Sequence, residues 1–196
     1  MKNIVFDLGR VLLSYEPLEY LKKYYKNYNE LNEIIFKNPL WLKLDEGTLT
    51  KDEFIQITIK EYPEYVKEIK EIMDNWIELL TPIEGNIKLL PILKNKGYDL
   101  YVISNFHVDA YNRFLKKQSW TDLFNGMMIS ANEKMMKPDL KIFNLFLNRY
   151  HLNSNETLFI DDSKPNIEAC EKIGIHGLYL PDSSYLKTKL EEMHII

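Results

Sequence analysis

The chain has 196 residues, 45% hydrophobic and 28% charged, with a net charge of −4. That suffices for one large domain or for a core carrying an inserted one, and the mild acidity gives no footing for a nucleic-acid binder. No apolar run approaches the ~20 residues of a membrane-spanning helix. Met1 to Phe6 lacks the basic and apolar regions of a secretory leader, and the single cysteine, Cys170, cannot form an internal disulfide. The expectation is a soluble cytoplasmic protein with one buried structural thiol.

The first apolar burst, Ile4-Val5-Phe6, is short, partly β-branched and closed by Asp7 and Gly9, so it predicts a buried strand. From Ser14 to Ile83 the pattern changes. Long helical periodicities cover Leu18 to Phe36 and Lys51 to Leu80, with no convincing strand. This stretch carries nine basic and fourteen acidic residues, a net of −5, which leaves the remainder at +1. Pro17 marks its entry, Pro82 and Gly85 its exit. Pro91 then interrupts the helical pattern Ile87 to Lys96 and predicts a kink or a late helix start. Strand-like bursts return at Leu100 to Ile103, Gly126 to Ile129, Thr157 to Ile160 and Gly177 to Leu180. They alternate with helical patterns at Phe106 to Lys116, Asp139 to Tyr150 and Lys164 to Ile173. Such alternation implies parallel βαβ units. The expected architecture is an α/β protein: a Rossmann-like parallel sheet core, residues 1–13 and 83–196, with an inserted helical cap, residues 14–82.

Ligands of parallel α/β sheets collect beyond the carboxyl ends of the strands. Asp7 ends the first strand and Ser104-Asn105 the second, Lys137-Pro138 follows the third, and Asp161-Asp162 end the fourth. Three carboxylates brought together repel one another unless a cation neutralises them, and an all-oxygen ligand set suits Mg2+. Mg2+ and Lys137 would offset the repulsion between a carboxylate nucleophile and an anionic phosphate ester. Asp7 could then attack phosphorus and form an acyl phosphate for water to hydrolyse.

The segments Val5-Phe6-Asp7-Leu8-Gly9-Arg10-Val11-Leu12, Val102-Ile103-Ser104-Asn105, Lys137-Pro138-Asp139 and Phe159-Ile160-Asp161-Asp162-Ser163 resemble the four ordered motifs of the haloacid dehalogenase superfamily. Trp41 and Leu44-Asp45-Glu46-Gly47-Thr48-Leu49-Thr50 resemble a cap turn of its glucose-1-phosphate phosphatase-like and epoxide-hydrolase N-terminal-domain-like branch. The resemblance implies Asp7 as nucleophile and metal ligand, with the Gly9 carbonyl, Asp162 and Asp161 completing or supporting a Mg2+ site. It implies Ser104 and Asn105 as ligands of the transferring group, and Lys137 as its neutralising partner. Arg10 is a candidate substrate anchor. The implied activity is a phosphatase for a small phosphorylated metabolite, sugar phosphates favoured, in a monomer or homodimer without nucleic-acid or membrane partners.

One position departs from the family pattern. Gly9 stands where family phosphatases usually carry a second aspartate for proton transfer. Glycine there favours a carbon-attacking dehalogenase as a rival, against which the retained Asp161-Asp162 pair speaks, and it leaves His107 as a candidate proton carrier. A non-catalytic descendant that binds a phosphorylated ligand or a partner protein is the second rival. Glycine could also be demanded by a positive φ. Asp162 and Ser163 could merely cap the helix near Pro165, and Tyr15, Tyr20 and Trp41 read as cap packing. Lys137, in a loop at a strand end, is expected to be replaceable without loss of the fold.

Overall fold

The computed structural model describes all 196 residues. Seven strands form: β1 (Asn3–Phe6), β2 (Leu13–Ser14), β3 (Thr81–Pro82), β4 (Asp99–Ser104), β5 (Gly126–Ile129), β6 (Thr157–Asp161) and β7 (His176–Tyr179). Five of them make one parallel sheet in the order β5-β4-β1-β6-β7. The chain steps outward from β1 through β4 to β5, then returns to the other side of β1 for β6 and β7. The order therefore reverses between β1 and β6, the place where a doubly wound sheet opens a crevice.

Because β1 is paired on both edges, all four of its residues are buried, as a central parallel strand requires. Its side chains alternate between two cores. Ile4 and Phe6 join Leu100, Val102, Leu158 and Ile160 in a cluster of 37 buried residues. Val5 joins Tyr101, Ile103 and Phe159 on the opposite face. That second face is covered by helices Leu140–Tyr150, through Ile142, Phe143 and Phe146, and Lys164–Glu171, through Ile167 and Cys170. Cys170 is buried as expected, and burial pushes its thiol up to about 12.

The inserted segment is helical, but in shorter pieces than its periodicity suggests. Helices run Pro17–Tyr24, Tyr28–Ile34, Pro39–Glu46, Lys51–Glu61 and Val66–Asn75. The pattern of Lys51 to Leu80 breaks at Tyr62, whose φ and ψ of −124° and 67° leave the helical region ahead of Pro63. Pro91 is tolerated because the helix starts late: it is the third residue of Leu89–Asn95, where its missing N–H has no intrahelical acceptor. The last strand sits one residue earlier than expected, as an edge strand. No helix is long and apolar enough to cross a membrane.

The cap's two connections to the sheet lie side by side. β2 pairs antiparallel with β3, Leu13 opposite Pro82 and Ser14 opposite Thr81. A second junction closes the far side. The Ser130 hydroxyl donates to the carbonyl of Asp45 and accepts from the Phe106 amide at 2.9 Å. Next to it Gly47 ends its helix at φ 75°, so close that a Cβ would run into the Ala131 carbonyl.

Candidate active site

At the carboxyl end of β1, the Asp7 amide still donates to Ile160 at 2.9 Å, so the ladder holds the residue in place. Its side chain turns out of the sheet, buried but for 12% of its surface. Oδ1 accepts from the Leu8 amide at 2.7 Å and lies 3.0 Å from Lys137 Nζ. The same ammonium donates to Asp161 Oδ2 at 2.6 Å and stands 5.2 Å from the centre of the Phe159 ring. Lys137 is thus 1% exposed, so the replacement expected to leave the fold intact would break buried ion pairs. Its charge is the hub of the site.

Two neighbours hold that hub. Asn105 clamps the Lys137 backbone, donating through Nδ2 to its carbonyl and accepting from its amide, both at 2.9 Å. Asp161 is fully buried and also accepts from the Ser163 amide at 2.7 Å and from Asn166 Nδ2 at 3.0–3.1 Å. These contacts occupy both Asp161 oxygens. Asp162 is less buried and makes no helix cap: Ser163 holds that position, without a side-chain capping bond.

The electrostatics follow from burial. It pushes Asp7 up to about 6 although Lys137 pulls it down; Asp161 adds to the rise and the Ser104 hydroxyl opposes it. Asp162 is raised for the same first reason, with Asp161 adding and Arg10 and Lys137 opposing. Burial alone would lower Lys137, but Asp161 and Asp7 together raise it. Oxygens of Asp7, Asp161 and Asp162 lie within 4.8 Å of one another. Three carboxylates around one ammonium leave an excess of negative charge that a divalent cation would neutralise, so the donor set fits Mg2+.

Asp7 opens onto a crevice of about 280 Å³ between sheet and cap. Gly9, Arg10, Asn105 and Asp162 line it, whereas Ser104 is buried beneath, 1% exposed. A Cβ on Gly9 would meet nothing within 4 Å, and the left-handed φ of 56° falls on Arg10 instead. Positive φ is therefore no reason for glycine at position 9. Arg10 bends back, its Nε donating to the Tyr15 carbonyl at 3.3 Å and standing 3.5 Å from Glu16, with half its side chain exposed at the rim.

The cap supplies Tyr15, Phe36, Trp41, Asp45, Trp76 and Leu80 to the crevice. Trp41 and Tyr15 thus line the crevice as well as packing in the cap; Tyr20 packs in the core and does not line the crevice. His107 is 3% exposed, its ring centre within 5 Å of those of Trp41, which it meets tilted, and Trp76, which it meets edge-on. Burial drops it to about 3, which speaks against the proton-carrier role considered for it and for a structural one. Asp45, 3.4 Å from His107 Nε2, went unremarked as a site residue. Burial pushes its carboxyl up to about 8, with Asp7 adding and Lys137 opposing. A helical signal for it existed: Asp45 lies four residues after Trp41, on the same helix face.

Known proteins resemble this chain in sequence and in fold. The sesquiterpene phosphatase astK of Aspergillus oryzae is 27% identical over 93% of this chain and 91% of its own. The D-ribitol-5-phosphate phosphatase of Bacteroides thetaiotaomicron is 24% identical, covering 89% of each. A crystal structure of a family enzyme from Bacteroides thetaiotaomicron, in complex with magnesium and inorganic phosphate, superposes with a TM-score of 0.74. It is 26% identical over 91% of this chain and 93% of its own. The family model for haloacid dehalogenase-like hydrolases matches residues 4–179, and with the strand-end residues arranged as above, the chain belongs to that family of hydrolases.

Proposed function

We propose that the chain is a Mg2+-dependent phosphatase for a small phosphorylated metabolite, working through a phosphorylated Asp7. The observation that carries this is the state of Asp7: both close nitrogen donors engage Oδ1 and the Ser104 hydroxyl is its one other polar side-chain partner besides Lys137, so Oδ2 keeps a lone pair for attack at the floor of the crevice. Phosphatases among the relatives support the reaction class. Asp7, the Gly9 carbonyl and Asp162 would hold Mg2+. Asp161, its oxygens already taken by Lys137, Asn166 and Ser163, positions the lysine. Bound Mg2+ supplies positive charge against the phosphoryl oxygens.

In the first step Asp7 Oδ2 bonds to phosphorus as the ester P–O bond breaks, and Lys137 offsets the charge gathering there. The departing oxygen needs a proton that Gly9 cannot give. Asp45, with its carboxyl at about 8, carries one at neutral pH and lines the same crevice. In the second step water attacks phosphorus, Asp45 recovers a proton, and inorganic phosphate leaves a free Asp7. Ser104 and Asn105 form the support under the transferring group, and Arg10 guards the rim.

The test is hydrolysis of 4-nitrophenyl phosphate in Mg2+ and in chelator, with thermal unfolding followed in parallel. Turnover should require Mg2+, and Mg2+ should raise the unfolding temperature, because a ligand of the folded state alone stabilises it. Equal turnover in chelator would overturn the phosphatase assignment and favour a carbon-attacking hydrolase.

A further inference from the structure

From the walls of the crevice we infer that the substrate is a monophosphate ester of a compact, uncharged, hydrocarbon-rich alcohol, aliphatic or aromatic, and not a sugar phosphate. The inference rests on the phosphatase assignment above and concerns only the group that leaves. Everything polar at the floor is committed to the phosphoryl end: Asp7 and Lys137 to each other, Asn105 to the Lys137 backbone, Asp162 to the carboxylate cluster.

Above that floor the walls are Tyr15, Phe36, Trp41, Trp76 and Leu80 from the cap and Phe106 from the sheet side. Trp76 Nε1 and His107 Nε2 are buried and without hydrogen-bond partners. Asp45 is the one carboxyl and Tyr15 the one phenol that the cap brings to the crevice, and the cap contributes no lysine or arginine to the lining. The crevice's other cation, Arg10, is already bent to the Tyr15 carbonyl and Glu16.

Two consequences point the same way. A polyol lodged here would bury several hydroxyls against rings, with the Tyr15 hydroxyl and the Asp45 carboxyl as the chief partners on the cap side, and each unmade hydrogen bond costs about tenfold or more in affinity. A hydrocarbon gains about fourfold for each methylene it buries. A second phosphate or a carboxylate on the leaving group would meet Asp45 within the crevice and find its nearest cation only at the rim, in Arg10, which disfavours nucleotides and bisphosphates. The volume of about 280 Å³ stands at the small end for ligand sites and limits the alcohol to a compact one.

The experiment compares kcat/KM for n-hexyl phosphate, glucose 6-phosphate and 4-nitrophenyl phosphate with the full chain in Mg2+. Hexyl and glucose 6-phosphates are both primary alkyl esters, so intrinsic reactivity differs little between them. Hexyl phosphate should exceed glucose 6-phosphate by at least about tenfold. Phe36→Ser, which puts a hydroxyl into the wall at a half-buried position, should shrink that ratio severalfold while the variant still unfolds cooperatively. Release from 4-nitrophenyl phosphate, with glucose 6-phosphate equal to or better than hexyl phosphate, would overturn the inference alone. A ratio unmoved by Phe36→Ser would overturn it too. No release from any of the three esters would overturn the phosphatase assignment, and the inference with it.

Discussion

Lys137→Ala tests whether one buried ammonium holds the site together. The side chain is 1% exposed and pairs with Asp7 at 3.0 Å and Asp161 at 2.6 Å, themselves 12% and 0% exposed. Removing one partner of a buried ion pair costs about 3–5 kcal/mol, and a chain of this size loses about 2–4 °C per kcal/mol. The unfolding temperature should therefore fall by roughly 6–20 °C at pH 8. The loss should also depend on pH. In the wild type the Asp7 carboxyl stands at about 6 against its ordinary 3.8, so the native state binds the proton more tightly than the unfolded chain. Stability from this group therefore declines between pH 4 and 6 and is level above. Without Lys137 the main force opposing that rise is gone, and the decline continues between pH 6 and 8, by up to about 1.4 kcal/mol per pH unit. Lys137 is itself raised, so the stability it contributes is lost only at alkaline pH, outside this window. Thermal unfolding of both proteins in chelator at pH 5, 6, 7 and 8 reads the gap directly. Lys137→Met, which retains stem volume, separates lost charge from lost packing. A gap that stays constant from pH 5 to 8, or no gap, would refute the hub role of this lysine.

Asp7→Asn should reduce turnover to background yet be at least as stable as the wild type at pH 8, since it removes a carboxyl whose ionisation the fold opposes; a lower unfolding temperature in chelator would contradict this. Asp45→Asn should slow hexyl phosphate hydrolysis by about 10²-fold or more and 4-nitrophenyl phosphate far less, because only the poorer leaving group needs the proton. With wild-type protein the rate on hexyl phosphate should fall as pH rises through about 8, where Asp45 loses its proton; equal effects on both esters would remove Asp45 from proton transfer. Gly9→Asp has room for its Cβ, and it should restore turnover in the Asp45→Asn background; a folded double variant no faster than Asp45→Asn would show that a carboxylate at position 9 cannot reach the leaving oxygen.

Much of the core was legible because parallel strands buried on both faces leave short apolar runs with chemistry at their ends. Ile4-Val5-Phe6 ahead of Asp7, and Phe159-Ile160 ahead of Asp161 and Asp162, are such runs, and the sheet places them side by side. The cap was less legible, because long amphipathic periodicity does not reveal where a helix stops. Helix Pro39–Glu46 did carry local signals: Asn38 accepts from the Leu40 amide at 2.9 Å, Pro39 opens the first turn, and Gly47 closes it. Burial of charged groups was not legible at all. Nothing in the one-dimensional context of Lys137 separates a solvated lysine from one enclosed by Asp7, Asp161 and Phe159, since those partners are at least 22 positions away. The same holds for Asp45 and His107, whose shifts in opposite directions arise from a desolvation that only the closed cap creates.

The pairing of β2 with β3 has a consequence for how such a protein can change. Leu13 faces Pro82 and Ser14 faces Thr81, so the long segment between them leaves the sheet and returns to it at neighbouring points. A segment whose ends meet in this way can be lengthened, replaced or exchanged as one module, because the scaffold beneath needs no new connection. Asp7, Lys137, Asp161 and Asp162 all lie outside that module, while Phe36, Trp41, Asp45 and Trp76 lie within it. Transplanting a relative's segment between Ser14 and Thr81 would thus alter which alcohols are accepted and how their oxygen is protonated, while the nucleophile and its counter-charges descend unchanged.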